Sequence, residues 1–295
     1  MIWIDCNKHM PELPEVETVR RDLQKHIVHK TVDRLTLGNT KVIRPTHARL
    51  KKVLVGNSIA DVQRVGKLLI VQLRSGDESI LIHLKMTGQL IYRDQKMVIA
   101  GGHSLSESIQ SLPNKHTRAV IHFTDGSELF FNDMRLFAYL ALADEKELIR
   151  VKQMYGIEPG TVAFTKEAFQ HIFVRRTAPV KAVLLNQTLI AGVGNIYADE
   201  ACFLAHILPM RRSNTLTKKE IDQLWKATDK VIRLGIEKRG TTFNHFVDGD
   251  GNKGGFLPFL RVYGRAGKPC KKCKTPIVKT YSAGRGTHYC PQCQK

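Results

Sequence analysis

The sequence predicts an α+β protein of two domains closed by a small metal-binding module, and three observations carry that expectation. Short apolar or alternating runs dominate up to about residue 145, and three- and four-residue hydrophobic spacing takes over afterwards. That β-first, α-second order argues against a single alternating α/β sheet. Four of the six cysteines fall into two C-x-x-C pairs near the C-terminus. The expected organisation is an extension over residues 1–10, a β-rich domain over 11–145, a helical domain over 146–261 and a cysteine-bounded hairpin over 262–295.

From Pro14, the residues Val16, Val19, Leu23 and Ile27 recur at helical spacing with Arg20, Arg21 and Lys25 between them. Pro14 is tolerated in a first turn, where acidic residues are also favourable. "GKLLIVQL", "SILIHLKMTGQLIYR" and "RAVIHF-TDGS-ELFFND" read as strands split by Ser-Gly-Asp and Asp-Gly turns. Residues 96–114 are polar and read as a loop. "KEAFQHIF" and "NIYADEACFLAHI" read as helices, and Thr217 with Glu220 forms a capping box ahead of Ile221, Leu224 and Val231. Glycine-rich "DGDGNKGGF" reads as irregular.

Charge narrows the function class. Lys and Arg number 46 against 27 Asp and Glu, a net +19 in 295 residues. That excess favours a polyanionic partner, with nucleic acid the usual one. No run approaches the length of a bilayer span, and "MIWIDC" is too short and lacks the basic flank of a signal peptide, so a reducing cytoplasmic setting is expected.

Cys270 and Cys273 in "CKKC" and Cys290 and Cys293 in "CPQC" stand sixteen residues apart, a spacing that fits one tetrahedral zinc ion. Four cysteine ligands leave no open coordination position, so the ion is expected to be structural. The intervening segment reads as a hairpin whose turn, "AGRG", presents Arg285. In "AGVGNIYADE", Gly192, Gly194 and Asn195 lead into a helix, and helix N-termini attract phosphate. A plain Asn-capped helix fits the same letters. The charge and the neighbouring Arg175 and Arg176 favour a backbone-phosphate contact.

Pro11 and Glu12 open "PELPEVETV" after nine residues and Met10. A free N-terminal amine has a reference pKa of about 7.7–8.0, far below lysine at about 10.4, so more of it is nucleophilic at neutral pH. A proline amine bonded to a sugar carbon gives an iminium ion, which is Schiff-base catalysis, and Glu12 is placed to move protons. On this stretch alone a proline-rich lead-in that merely starts a helix is the better reading.

Taken in order, "PELPEVETV", "HLKMTG", "GVGNIYADE", "VYGRAGKPC" and "CPQCQK" resemble the formamidopyrimidine-DNA glycosylase family from Pro11 to Lys295. The resemblance implies a β-sandwich joined to a helix-two-turns-helix domain with a zinc finger. It also implies a repair enzyme that removes oxidised purines from double-stranded DNA and cuts the abasic strand. Pro11 then matches the nucleophile, Glu12 the proton donor, Lys67 the lysine of β-elimination and Arg285 the phosphate-gripping arginine of δ-elimination. Met86, Arg135 and Phe137 match the trio that fills the gap left by the extruded nucleotide, as apolar wedges do elsewhere. His116, Arg175 and Asn195 match phosphate contacts, and "DGDGNKGGF" the loop over the base. One zinc ion, a DNA partner, no membrane and a monomer complete the expectation.

Three departures stand out. Leu136 replaces a usual basic residue, which predicts weaker, less salt-sensitive DNA binding. Ala138 replaces a usual glycine, and "KHTR" keeps His116 without its usual neighbours. The extension is the largest: with Met1 retained, the Pro11 nitrogen is an amide and the chain binds DNA without cutting it. A start at Met10, with that methionine removed, frees the amine and is the expectation here. An endonuclease VIII type acting on oxidised pyrimidines is the remaining alternative within the enzyme class.

Overall fold

The apolar alternation of the first half folds into two five-stranded sheets, and the core lies between them. The computed structural model describes residues 10–38, 40–44, 46–102, 111–174, 176–241 and 255–295. The first sheet is built, edge to edge, from β1 (Val32–Leu37), β8 (Thr117–Phe123), β9 (Glu128–Asp133), β6 (Gly88–Arg93) and β7 (Val98–Gly102). The second is built in the same way from β2 (Ile43–Arg44), β10 (Tyr139–Ala143), β5 (Ser79–His83), β4 (Leu68–Leu73) and β3 (Ile59–Val65). Neighbours run antiparallel except β2 beside β10. Val32, Leu90 and Phe131 of one sheet and Leu69, Ile80 and Leu140 of the other share one buried cluster.

Helix α1 (Leu13–Ile27) covers this layer with Val16, Val19, Leu23 and Ile27, each at most 2 % exposed. A second short helix, α2 (His47–Leu54), starts at Thr46, whose hydroxyl accepts from Arg49 N. Within the segment 96–114 the loop reading is corrected at residues 98–102, which form β7, paired among the described residues with β6 alone. Its two glycines are there for close approach. A Cβ at Gly101 would lie 2.6 Å from Val19 Cγ2 on α1, and Gly102, at φ +109°, lies against the Gly88 carbonyl. These glycines are the contact surface of a strand.

Contact density divides the chain into residues 1–152 with 239–255, and residues 153–238 with 256–295. Helix α3 (Glu145–Gln153) ends the first stretch. The second unit is helical: α4 (Lys166–Phe173), α5 (Val180–Leu185), α6 (Asn195–Leu204) and α7 (Lys218–Glu237). The capping box at Thr217 and Glu220 forms as the sequence requires, with the Glu220 amide donating to Thr217 Oγ1 at 3.2 Å and Thr217 N to Glu220 Oε2 at 2.7 Å. Helix α7 buries Ile221, Leu224, Val231 and Ile232, and Trp225 donates from Nε1 to the Phe164 carbonyl at 3.0 Å. The hairpin of β11 (Val278–Ser282) and β12 (Arg285–Tyr289) completes the unit. The helical reading of 195–207 ends at Leu204, where His206 takes φ +62°.

Candidate DNA-processing site

In the first unit the site grows from the front of α1. Pro11 is buried, and Glu12, 3 % exposed, is the N-cap residue of the helix. The Glu12 amide donates to Glu15 Oε2 at 3.0 Å, while Glu15 Oε1 accepts from Thr241 N at 2.6 Å and Thr241 Oγ1 at 2.9 Å. One buried carboxylate therefore fixes the backbone at Glu12 and holds Thr241. A Cβ on Gly240, at φ +83°, would meet Glu15 Oε1 at 2.8 Å, so this approach requires glycine.

Lys67 sits in the turn between β3 and β4 at 9 % exposure. Arg64 steadies that turn by donating to the Gly66 carbonyl at 2.8 Å and to Glu17 Oε2 of α1 at 3.0 Å. Burial of Glu17 would raise its pKa, but hydrogen bonds from Arg20, Arg21 and Arg64 and the Arg64 charge outweigh it and hold the carboxyl at about 2. Beside the turn, His83 pairs with Leu68 across β4 and β5. Burial, reinforced by the Lys85 and Lys67 charges, pushes the His83 pKa down to about 3, so the ring is neutral at physiological pH. Its Nδ1 accepts from Lys85 N at 3.0 Å, which leaves the proton on Nε2. Lys85 Nζ and the Arg44 guanidinium lie 5.7 and 5.1 Å from the Tyr139 ring centre. No sequence signal singles out Arg44, His83 and Lys85, although His83 and Lys85 belong with Met86 to "HLKMTG".

Met86, Arg135 and Phe137 come together. The Arg135 Nη1 group donates to Met86 Sδ at 3.5 Å, and its guanidinium stands 4.7 Å from the Phe137 ring centre. Phe137 is 52 % exposed. Their turn, residues 134–138, is shaped by buried Asp133, which accepts from Arg135 N at 3.2 Å, from Ala138 N at 2.9 Å and from the Thr87 hydroxyl. Asp133 N donates to the His116 carbonyl at 2.9 Å, which places half-exposed His116 beside the same turn. Leu136 takes φ +58° and packs against the core, and buried Ala138 faces Gly88 so closely that a Cβ there would be 2.8 Å from its methyl.

In the second unit, Gly194 rather than Asn195 caps α6, and Asn195 is the first helical residue. Gln187 clamps the preceding turn, accepting from Gly192 N and donating to the Val193 carbonyl, each at 2.9 Å. Asn195 donates from Nδ2 to the Gly286 carbonyl at 3.1 Å, and its buried Oδ1 has no hydrogen-bond partner among the described residues. Gly286 follows exposed Arg285. The same carbonyl accepts from Lys181 Nζ at 3.0 Å, and this lysine also reaches Thr287 Oγ1 at 2.8 Å and Asp199 Oδ1 at 2.6 Å. Lys181 and Asp199 have fully buried side chains, and Asp199 Oδ2 accepts from His288 N at 2.8 Å. Cys202, likewise buried in α6, has its thiol pKa pushed up by that burial. Arg175, Cys6 and most of "DGDGNKGGF" lie outside the described residues.

The four sulfurs of Cys270, Cys273, Cys290 and Cys293 lie within 4.8 Å of one another, with the cross pairs at 4.0 and 3.4 Å. A tetrahedral ion with bonds of about 2.3 Å needs sulfurs about 3.8 Å apart, so the donor set and its spacing suit a metal ion.

Family models match the chain in order: the formamidopyrimidine-DNA glycosylase N-terminal domain over residues 10–140, its H2TH domain over 155–247, and a zinc finger found in FPG and IleRS over 267–295. A formamidopyrimidine-DNA glycosylase of Pelotomaculum thermopropionicum is 41% identical over 289 residues, covering 97% of this chain and 99% of that protein. A complex of wild-type Lactococcus lactis Fpg (MutM) with N7-benzyl-Fapy-dG DNA aligns at a TM-score of 0.85 and 32% identity over 97% of this chain and 100% of that one. Another complex of that protein, with DNA containing an oxidized pyrimidine, aligns at 0.84 with the same identity and coverage. The two-sheet domain, the helical domain and the four-cysteine finger each have their counterpart, and the chain belongs to the formamidopyrimidine-DNA glycosylase family of DNA-repair enzymes.

Proposed function

We propose that the chain removes oxidised purines, 8-oxoguanine and formamidopyrimidines, from duplex DNA and then cuts the abasic strand by β- and δ-elimination. The observation that carries this reading is the buried Pro11 directly ahead of Glu12, whose amide is tied to Glu15. A nucleophile held on rigid backbone keeps its angle of attack.

The Pro11 nitrogen, as a free secondary amine, bonds to C1′ of the damaged nucleotide while the bond from C1′ to the base breaks, the base leaving with the bonding pair and taking up the amine proton. Glu12 protonates the sugar ring oxygen, and the nitrogen lone pair opens the ring to leave an iminium ion. That ion acidifies C2′. Removal of a C2′ proton expels the 3′ phosphate, Lys67 standing near the sugar. Loss of a C4′ proton then expels the 5′ phosphate, Arg285 gripping the phosphates. Water hydrolyses the iminium and restores Pro11. Met86, Arg135 and Phe137 fill the stack, Arg135 facing the opposite cytosine, and His116, Arg175 and Asn195 hold phosphates. Cys270, Cys273, Cys290 and Cys293 hold one zinc ion, which when bound fixes the hairpin behind Arg285 and takes no part in bond breaking. The protein works as a cytoplasmic monomer on DNA; no helix among the described residues is long and apolar enough to cross a membrane.

The family match begins at Met10, which supports Pro11 as the first residue of the active form. Borohydride in the presence of 8-oxoguanine duplex should trap a covalent adduct on Pro11 in protein beginning there. An untrappable protein overturns the reading, and so does equal nicking by protein that retains residues 1–10. Action on oxidised pyrimidines is a second reading, supported by the similar Lactococcus lactis complex with oxidized-pyrimidine DNA. Relative excision of 8-oxoguanine and thymine glycol separates the two.

A further inference from the structure

A second cationic site lies at the far end of the elements that carry Asn195 and Arg285. Phe203 and Leu204, at the end of α6, floor a cavity of about 340 Å³ whose other walls are His206, Arg261, Lys271 and Lys272. Asn195 stands nine residues earlier on that helix, roughly 13 Å away at about 1.5 Å per residue. Lys271 and Lys272 belong to the cysteine knuckle at the base of the hairpin, and Arg285 is five residues from Cys290, roughly 16 Å at about 3.3 Å per residue. The cavity therefore stands apart from both of these phosphate-binding candidates.

Among the described residues, its charge is compensated only by buried Glu200, whose carboxyl interacts electrostatically with Arg261 and Lys271. Lys271 Nζ donates to the Pro258 carbonyl, and Lys272 Nζ lies 3.5 Å from His206 Nε2. His206 Nδ1 is 2.9 Å from the Cys293 carbonyl, so that nitrogen carries the proton and Nε2 accepts from Lys272. Among the described residues, none of the four basic groups is paired with a carboxylate. Glu200, behind Arg261, is fully buried and satisfied by the amides of Arg261, Val262 and Tyr263 at 2.9–3.0 Å. Arg261, Lys271 and Lys272, with His206 beside them, thus line a cavity that also presents apolar Phe203 and Leu204.

We propose that this cavity docks an acidic segment of a partner protein that carries an apolar anchor side chain. A DNA backbone is the competing polyanion, but a duplex presents a convex ridge of phosphates with no apolar group to cover Phe203 and Leu204. A peptide supplies both parts: carboxylates for Arg261, Lys271 and Lys272, and one aromatic or aliphatic side chain for the floor, as small anchor pockets are filled at protein interfaces. The docking mode is independent of the excision chemistry and leaves Asn195 and Arg285 uncovered.

The probes are two fluorescein-labelled hexapeptides, five aspartates ending in phenylalanine and five aspartates ending in serine, titrated into the full chain by fluorescence anisotropy. The phenylalanine peptide should bind about tenfold more tightly, near 1.4 kcal/mol. Lys272→Glu and Leu204→Asp should each weaken it by about tenfold or more, with Lys272→Glu leaving undamaged-duplex affinity within about twofold. Lys272 is exposed, so its variant tests the idea even where Leu204→Asp fails to fold. Equal binding of the two peptides overturns the anchor. Loss of duplex affinity in Lys272→Glu with peptide binding intact makes the site a further phosphate contact and overturns the partner. A lowered Tm in Lys272→Glu with no peptide binding by the parent reduces the cluster to a complement of the helix end, and overturns the site.

Discussion

Glu17 on α1 and Arg64 on β3 are joined at 3.0 Å with both side chains about one-tenth exposed, and Arg64 turns back to the Gly66 carbonyl just before Lys67. A single guanidinium thus connects the helix that follows Pro11 and Glu12 to the turn that offers Lys67. Placement of the two candidate groups is shared through one ion pair rather than left to two independent loops.

Glu17→Gln should lower Tm at neutral pH and flatten the acid limb of stability. The folded carboxyl is depressed from its ordinary value of 4.5 to about 2, so its contribution is present above pH 4.5 and is lost as pH falls toward 2. Thermal melts across that range check the window, and an unchanged slope in the variant refutes it. The same variant should slow Schiff-base trapping, because Arg64 loses its anchor while keeping its own charge.

His83 acts in acid with the same sign by the opposite chemistry. Its folded pKa is about 3 against an ordinary 6.5, so below pH 6.5 the unfolded chain takes up a proton that the folded chain refuses. Stability falls as pH drops from 6.5 toward 3, and His83→Gln should remove that loss. Histidine NMR should show this ring silent between pH 5 and 8 in the free protein.

Lys181→Met should cost roughly 3–5 kcal/mol, because it strands Asp199 as an uncompensated buried charge. Lys181→Met with Asp199→Asn should recover much of that, as apolar replacements of buried pairs often do. Denaturant melts measure both. Strand cutting should lag in the folded double variant, since the Gly286 carbonyl beside Arg285 loses one of its two side-chain donors.

Leu136→Arg tests the departure in the turn that carries Arg135 and Phe137. A cation there should steepen the fall of log affinity with log salt by about one. Some stability is lost with it, because Leu136 packs against the core. Duplex titrations at several salt concentrations check the slope, and an unchanged slope means that this position faces no phosphate.

Gly88→Ala should destabilise by about 1–3 kcal/mol through overpacking. The new methyl would press on the Leu84 carbonyl and lie 2.8 Å from the Ala138 methyl. Thermal melts measure the loss. Adding Ala138→Gly should restore only part, because the backbone oxygen stays where it is.

Much of the fold was legible because local signals agreed with it. The 3-4 spacing of Val16, Val19, Leu23 and Ile27, the Thr217–Glu220 capping box and the Asp-Gly turn between β8 and β9 each specify structure within a few residues. What escaped is what depends on distant partners. Gly101 reads as a loop residue until Val19 is known to lie against it, and a glutamate N-cap at Glu12 lacks the Ser, Thr or Asp signature. Met86 and Phe137 lie in motifs, and the structure brings both against Arg135. Arg44, which reaches Tyr139 from another strand, carries no signal in its own neighbours. Lys181 was invisible for the same reason, since its partners Asp199 and Gly286 lie 18 and 105 residues away.

The Gly286 carbonyl accepts from both Asn195 and Lys181, which makes the α6 start and the Arg285 hairpin mechanically one part. Grafting a zinc hairpin from a relative onto this scaffold would fail unless α5 and α6 travelled with it. Damage to any one of Asn195, Lys181 and Gly286 should therefore mask the effect of damaging the others.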